Sequence, residues 1–201
     1  MTKGAETRRE IVAEALSLAG KVGLEGVSLG TLADRLDLSK SGLFAHFRSK
    51  EALQLEVVQV AIDSFVKQVV LPALTKPRGE PRLRALFDRY LTWIRGSPSS
   101  GGCFFMALTQ EYDDRPGPVR DLLVQSQRDW YATVARATRL AIEEQHLAPE
   151  ADAQQIAYEA IGIGMAFQQA HRLLSDPNAE RYARKAFESL LERHRATPAT
   201  R

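Results

Sequence analysis

The sequence predicts an all-α protein, with a helix-turn-helix head of three short helices followed by a body of about six helices. Apolar residues recur along most of the 201 residues at steps of three and four, the helical period. We find no convincing alternation of apolar and polar residues, which would predict β-strands. Breaks rich in proline and glycine interrupt the helical pattern at residues 72–81, 96–102, 116–118 and 149. We expect a head at residues 1–50 and a body at residues 51–201.

The composition is that of a globular protein, with 44% hydrophobic and 26% charged residues. The formal net charge is only +2, so any surface that binds nucleic acid must be local. No apolar run approaches the ~18 residues that span a bilayer, and the first residues lack the apolar segment of a signal peptide. The single cysteine, Cys103, cannot form an internal disulfide. We therefore expect a cytoplasmic protein that does not bind a membrane.

Residues 28–47 carry the most specific pattern in the chain. Two helices of about two turns are predicted here, joined by a tight turn, which is the arrangement of a helix-turn-helix. Ser28 is suited to cap the first helix. Ala33 allows the two helices to cross closely, and Asp37 tolerates the left-handed backbone that the turn requires. Such a pair places its second helix in the major groove of DNA while the first helix braces it.

The polar residues of the second helix suit the surface of a DNA duplex. Serine hydroxyls reach phosphates or base edges, lysine suits phosphate or guanine, and a leucine can touch a thymine methyl. The lysine that opens the next helix would meet phosphate together with backbone N–H groups. From the helix pattern alone, a surface hairpin without a ligand fits equally well. The residues that we expect to face DNA are Ser39, Lys40, Ser41, Leu43, Phe44, His46 and Lys50.

Residues 28–53 resemble the DNA-binding motif of the tetracycline-repressor (TetR) family nearly throughout. The most specific matches are Leu32-Ala33, Ser39-Lys40-Ser41 and the run from His46 to Leu53. The resemblance covers about residues 7–55. It implies a homodimer that binds double-stranded operator DNA, a body that responds to a ligand, and a phosphate contact from Thr31. The favoured hypothesis is a repressor that a small effector releases from its operator.

Two residues depart from the pattern of that family. Phe44 stands where the family usually has tyrosine, so a phenolic contact to phosphate is lost. Asp37 stands where the family usually has glycine, and it adds a negative charge near the face that is expected to contact DNA. These departures leave open an alternative, a helical bundle that binds other proteins and whose head no longer binds DNA.

The body is rich in aromatic residues at helical spacing. Such residues are more often simple core, but the resemblance implies that some of them line a cavity for a small apolar or aromatic effector. Gln110, Gln168 and His171 are candidates for the polar groups of this cavity. The candidate lining residues are Phe65, Trp93, Phe104, Phe105, Met106, Tyr112 and Trp130.

The last two helices carry opposed apolar stripes. They either pack on the body of their own chain or form a four-helix bundle across a twofold axis. We favour the dimer, which would place two recognition helices about one DNA turn apart, roughly 34–36 Å. The residues expected at the dimer interface are Ile156, Ala160, Ile163, Phe167, Phe187 and Leu190.

An enzyme is the competing class of function. The chain has four histidines and one cysteine, but it has no His-x-x-x-His, Cys-x-x-Cys, P-loop or Gly-x-Ser-x-Gly motif. We therefore expect neither catalysis nor a cofactor. Cys103 leaves open a thiol-responsive regulator, although no cationic residue lies beside it in the sequence to activate the thiol.

Overall fold

The computed structural model of the chain describes residues 3–96 and 103–196, so the predicted break at residues 96–102 lies outside it except for its first residue. In these ranges the chain forms nine continuous helices and one isolated bridge between Leu147 and Arg195, which confirms the all-α prediction. The helices are α1 (Lys3–Val22), α2 (Leu29–Arg35), α3 (Lys40–His46), α4 (Lys50–Phe65) continuing into α5 (Leu71–Leu74), α6 (Glu80–Gly96), α7 (Phe104–Tyr112), α8 (Pro118–Glu143), α9 (Ala153–Gln168) and α10 (Ala179–Arg193).

The helix that begins with α4 does not end at Pro72, although the sequence predicts a break there. A π-helical turn, Val66–Val70, joins α4 to α5, and the N–H of Leu71 donates to the carbonyl of Val66. This wider turn is a physical reason why the helix continues, because a proline has no N–H and crowds the carbonyl of the preceding turn in a regular α-helix. No uninterrupted apolar run was expected, yet Lys50–Leu74 is long and apolar enough to cross a membrane. Core helices of soluble proteins meet the same criterion.

Two compact units divide the chain. The first unit comprises Met1–Ser64 and Gly96–Ser126, and the second unit comprises Phe65–Arg95 and Gln127–Arg201. The three-helix head therefore shares its unit with most of α4, with α7 and with the first turns of α8. The boundary between head and body at residue 50 remains a prediction.

Helices α1, α2 and α3 pack around an apolar core. Arg8 of α1 lies over the ring of Phe47, with its guanidinium carbon 4.3 Å from the ring centre. Its Nε donates to the carboxylate of Glu56 at 3.0 Å, and another of its nitrogens donates to the carbonyl of His46. One residue therefore ties the end of α3 to both α1 and α4. The core side chains, each at most 1% exposed, are Ile11, Ala15, Leu32, Ala33, Leu43 and Phe47.

The second unit has an aromatic core. The rings of Phe87 and Phe187 stack with their centres 3.9 Å apart, which joins α6 to α10. Gly164 of α9 lies against Tyr90 of α6, and a Cβ at that glycine would come within 2.1 Å of the tyrosine ring. Because no side chain fits there, the glycine allows α9 to approach α6 closely.

Candidate DNA-binding and effector sites

Local interactions define the helix-turn-helix of the first unit. The side chain of Ser28 caps α2 by accepting from the N–H of Thr31 at 3.0 Å, and Ser39 caps α3 by accepting from the N–H of Gly42 at 3.0 Å. Between the helices, Asp37 has a φ of 52°, the left-handed conformation that short polar residues tolerate. The predicted pair of helices and its tight turn are therefore present in the structure.

The outer face of α3 is polar, with one prominent aromatic ring. Lys40 and Ser41 are exposed at its start, and Lys40 makes no ion pair with any residue that the structure describes. Phe44 lies one turn further along and is 52% exposed. His46 is half-buried at the end of the helix. This face combines an available cation, two serine hydroxyls and an uncovered aromatic ring.

Besides Ser39, which caps α3, three of the residues predicted to contact DNA have other roles in the structure. Leu43 is completely buried in the head core, so the predicted contact with a thymine methyl is wrong. The ammonium group of Lys50 donates to the carboxylate of Glu25 at 3.0 Å and to its backbone carbonyl, so its charge is already paired within the head. The hydroxyl of Thr31 is exposed but shares a hydrogen bond of 2.8 Å with Ser28.

Arg48 is a candidate that the sequence analysis missed. It follows α3 directly, is exposed, and makes no ion pair among the described residues. A cation just past the end of a recognition helix suits a phosphate contact. Its position within the run from His46 to Leu53 is the signal that could have identified it.

A glutamate of α7 binds the loop between α1 and α2. The backbone N–H groups of Leu24 and Glu25 donate to the two carboxylate oxygens of Glu111 at 2.8 and 2.7 Å. Gly23 precedes them with a φ of +77°, and a Cβ at this position would come within 3.0 Å of the same carboxylate. Glycine therefore provides both the left-handed backbone and the space that the contact requires.

The carboxylate of Glu25 is a second hydrogen-bond acceptor at this loop, in addition to the carboxylate of Glu111. It accepts hydrogen bonds from the Tyr112 hydroxyl at 2.6 Å, from Gln54 at 2.9 Å and from Lys50 at 3.0 Å. The bond from Tyr112 is the largest cause that lowers the pKa of Glu25 to about 2, and it outweighs the opposing effect of burial. Burial, together with the bond to Glu25, raises the pKa of Tyr112.

We call these five side chains the Glu25–Glu111 cluster: Glu25, Lys50, Gln54, Glu111 and Tyr112. The cluster joins the α1–α2 loop, the first turns of α4 and the last turn of α7 within one unit. It corrects the role that the sequence predicts for one residue, because the Tyr112 hydroxyl binds a carboxylate of the head loop. No sequence pattern connects Glu25 to residues 86 and 87 positions away.

Three of the predicted effector-pocket residues meet in the second unit. The ring of Phe65 contacts Trp93 and Trp130 edge-on, with centres 5.4 and 5.0 Å apart, and Tyr90 joins them 5.2 Å from Trp130. The indole N–H of Trp130 is buried and has no hydrogen-bond partner among the described residues. The cavity beside Trp130 and Tyr90 has a volume of only about 10 Å³. These residues form a packed aromatic cluster, and in this conformation the cavity beside it is too small to hold an effector.

The other predicted pocket residues are divided among different places. Phe104 and Phe105 are buried in the first unit with their ring centres 5.8 Å apart, and Met106 beside them is half-buried. Among the candidate polar groups, Gln110 is exposed and His171 stacks on Phe167. The described residues contain no group of three or more His, Cys, Asp or Glu that could hold a metal ion.

Cys103 lies at the start of α7 and is only 2% exposed. Reactive cysteines are partly exposed and have cationic neighbours, whereas buried ones are inert. Burial therefore disfavours the hypothesis of a thiol-responsive regulator.

Comparison with known proteins identifies the family. The model of the tetracycline repressor-like C-terminal domain matches residues 79–187, which is more than half of the chain, and that of the TetR family of bacterial regulatory proteins matches residues 11–57. The chain belongs to the TetR family. It is also 25% identical to YobS of Bacillus subtilis, an uncharacterised helix-turn-helix regulator, over 118 residues. That match spans 59% of this chain and 60% of YobS.

Solved structures of TetR regulators share the fold. A regulator from Chloroflexus aurantiacus superposes with a TM-score of 0.86 and 23% identity, covering 98% of this chain and 100% of that one. A regulator from Cytophaga hutchinsonii superposes with a TM-score of 0.82 and 20% identity, and the match covers 98% of each chain. AibR, solved in complex with isovaleryl coenzyme A and operator DNA, superposes with a TM-score of 0.75 and 20% identity. The match covers 92% of this chain and 97% of AibR. Together with the family models, this shared fold places the chain among the TetR-family regulators with a helix-turn-helix head.

The dimer interface predicted for this TetR-family protein needs correction. Five of its six residues are at most 4% exposed within a single chain, so their side chains pack in the core of their own chain; Ile163 alone among the six is half-buried. The outer face of α9 instead exposes Tyr158 by 63% and Met165 by 49%, with Gly162 between them, and α10 exposes Tyr182 by 51%. The five corrected residues are Ile156, Ala160, Phe167, Phe187 and Leu190.

Replacing Tyr112 by phenylalanine tests the Glu25–Glu111 cluster. Loss of a hydrogen bond to a charged acceptor is expected to lower the free energy of unfolding by about 1–2 kcal/mol at pH 7. The pKa of Glu25 should rise from about 2 toward its ordinary value of 4.5. Chemical denaturation and an NMR titration of the Glu25 carboxyl measure the two effects.

The sign of the pH dependence follows from the lowered pKa of Glu25. Its stabilisation is complete above about pH 4.5 and is lost as the pH falls toward 2, so the difference between wild type and Tyr112→Phe should shrink in acid. Tyr131→Phe is the control, since the Tyr131 hydroxyl makes no hydrogen bond among the described residues. Equal stability changes in both variants would contradict the role of the cluster.

Proposed function

We propose that this regulator is a repressor that binds operator DNA as a homodimer and is released by a small apolar or aromatic effector. The observation that carries the DNA-binding part is the exposed face of α3. It presents Lys40, Ser41 and a half-exposed Phe44 on a helix that its cap and its buried Leu43 hold in place. A protein that binds chromosomal DNA acts in the cytoplasm of a bacterium, so we expect it there.

Each group on this face has a physical role in the proposed contact. Lys40 and Arg48 supply charge for phosphates at the two ends of α3, where neither side chain is held by an ion pair within the described residues. Phe44 lacks the phenolic oxygen of a tyrosine, but its ring can pack on a sugar or a thymine methyl. An exposed aromatic ring on a short helix gains free energy only when a partner covers it.

The Glu25–Glu111 cluster is the proposed connection between effector and head. A change in the position of α7 would move the Glu111 carboxylate, to which the α1–α2 loop is bound by two N–H groups. The same change would move the Tyr112 hydroxyl and thereby Glu25, which holds Lys50 at the start of α4. An effector shifts the head only as far as its affinity differs between the two arrangements.

The aromatic cluster of the second unit supports an apolar or aromatic effector. Phe65, Trp93 and Trp130 offer ring faces and edges, and the buried indole N–H of Trp130 would gain a partner if the effector carried an acceptor. The cavity beside them must enlarge before it can hold a molecule. AibR, which has the same fold, was crystallised with isovaleryl coenzyme A.

The outer face of α9 and α10 is the proposed dimer interface. A twofold interface uses the same patch on both protomers, so it needs a self-complementary apolar surface. Tyr158, Met165 and Tyr182 supply exposed apolar area, and Gly162 lets the backbone of a partner helix approach. The more apolar faces of the same two helices are buried in the core of their own chain.

Lys40→Ala tests DNA binding directly. Genomic fragments selected by the purified wild-type protein provide the probe, and a gel shift over a series of salt concentrations provides the measurement. Loss of this contact should weaken binding about fivefold or more, and a lost phosphate contact should reduce the slope of log K against log [salt] by about 1. Lys67→Ala is the matched control, because Lys67 is equally exposed but lies beyond α4. If both variants bind as wild type does, α3 is not the contact surface; if wild type selects no DNA, the protein-interaction alternative gains support.

Met165→Glu tests the proposed dimer interface. A charge at the centre of an apolar twofold interface meets its own copy, so the variant should sediment as a monomer at concentrations where wild type is a dimer. Val66→Glu is the matched control, since Val66 is an exposed apolar residue that belongs to neither α9 nor α10. A wild-type monomer, or a Met165→Glu dimer of wild-type affinity, would contradict the proposal.

A further inference from the structure

A wide groove on the second unit has a charge pattern that the proposed function does not use. It has a volume of about 860 Å³ and lies between α5, the start of α6 and the second half of α8. Four arginines line it, with Glu143 as the one acidic residue of the lining. The arginines are Arg78, Arg82, Arg136 and Arg139.

Two of these arginines are committed to other groups and two are not. Arg78 pairs with Glu143 at 2.8 Å and with Glu144 at 3.3 Å. Arg82 donates to the backbone carbonyl of Lys76 at 3.0 Å, which leaves its charge unbalanced. Arg136 and Arg139 make no ion pair or hydrogen bond with any residue that the structure describes. They lie one turn apart on α8, so both guanidinium groups are available to one anion.

The groove lining also contains apolar residues. Val70, Leu74 and Leu140 face the same groove, and Leu74 is 44% exposed. Leu86 lines the groove and also the small cavity that contains Trp130. A ligand whose apolar end displaced Leu86 would therefore come close to the aromatic cluster.

We propose that this groove binds an amphiphilic anion, in which an acyl chain is joined to a headgroup that carries more than one phosphate. Guanidinium groups bind phosphate through paired hydrogen bonds, which fits Arg136 and Arg139. The apolar wall binds the acyl chain, and the groove volume is that of a site for a ligand of this size. The groove binds the ligand whether or not the protein represses transcription. This ligand differs from the apolar effector proposed for the aromatic cluster; that it also releases the operator rests on the proposed function.

Calorimetry with acyl-coenzyme A probes tests the proposal. Isovaleryl, octanoyl and palmitoyl coenzyme A are compared with free coenzyme A and with the three free acids, at one ionic strength. At least one conjugate should bind tenfold or more tightly than both free coenzyme A and the corresponding free acid. Only the conjugate can contact the arginines and the apolar residues of the groove at the same time. Binding should also change the fluorescence of the protein, since Trp130 lies beside Leu86.

Paired arginine variants locate the binding site. The double variant Arg136→Ala/Arg139→Ala should weaken binding of the best conjugate at least tenfold. Arg128→Ala/Arg89→Ala is the matched control, since both arginines are exposed and neither lines the groove. Equal affinities of the two double variants would overturn the proposal, as would conjugates that bind no more tightly than coenzyme A or the free acid.

Two further outcomes separate this proposal from the proposed function. In the first, double-stranded DNA competes with the conjugate for binding to the wild-type protein, and this competition is lost in the arginine variant. That result would identify the groove as a nucleic-acid surface and overturn the proposal. Tight binding of a conjugate without release of the selected operator fragment would support the site and contradict the role of that ligand as effector. Failure of Lys40→Ala to weaken operator binding would leave the calorimetric result unaffected.

Discussion

Two neighbouring carboxylates, Glu25 and Glu111, hold the DNA-binding head in place. The loop between α1 and α2 leaves two backbone N–H groups without a helical partner, and Glu111 of α7 accepts both. Glu25 is held at the same point by Tyr112, Gln54 and Lys50. Because these bonds span α1–α2, α4 and α7, none of these three elements can shift within the unit without breaking a charged hydrogen bond.

This arrangement explains two local features of the head. A side chain at Gly23 would crowd the Glu111 carboxylate and strain the left-handed backbone at that position. Lys50, which stands where a phosphate contact was expected, is drawn to Glu25 instead. Lys40 and Arg48, at the two ends of α3, are exposed and make no ion pair among the described residues, so they are the cations on which the proposed DNA contact rests.

The head could be predicted from the sequence because its determinants are local. The cap at Ser28, the left-handed turn at Asp37 and the small Ala33 act within a few residues of their own positions. The Glu25–Glu111 cluster could not be predicted in this way, because its partners are brought together only by the tertiary fold. Leu43 shows the same limit at short range, since a leucine on a recognition helix can equally fill the core or touch a base.

The C-terminal helices show what periodicity leaves undecided. Both faces of α9 carry apolar residues at helical spacing, and the spacing does not indicate which face the chain buries. The chain buries the face that carries Ile156 and Phe167, and Gly164 allows that face to approach Tyr90 closely. The aromatic residues of the body raised the same question, and Phe65, Trp93 and Trp130 form a packed cluster rather than an open cavity.

Hydrogen exchange at the amides of Leu24 and Glu25 tests the role of Glu111 most directly. Both amides should exchange slowly in the wild-type protein, and Glu111→Gln should accelerate both because a neutral amide oxygen accepts more weakly and can receive one of them at best. The amide of Leu38, which donates to the carbonyl of Ala33 at 2.9 Å, should be unaffected. Rapid exchange of Leu24 and Glu25 in the wild type, or equal protection in the variant, would contradict the account.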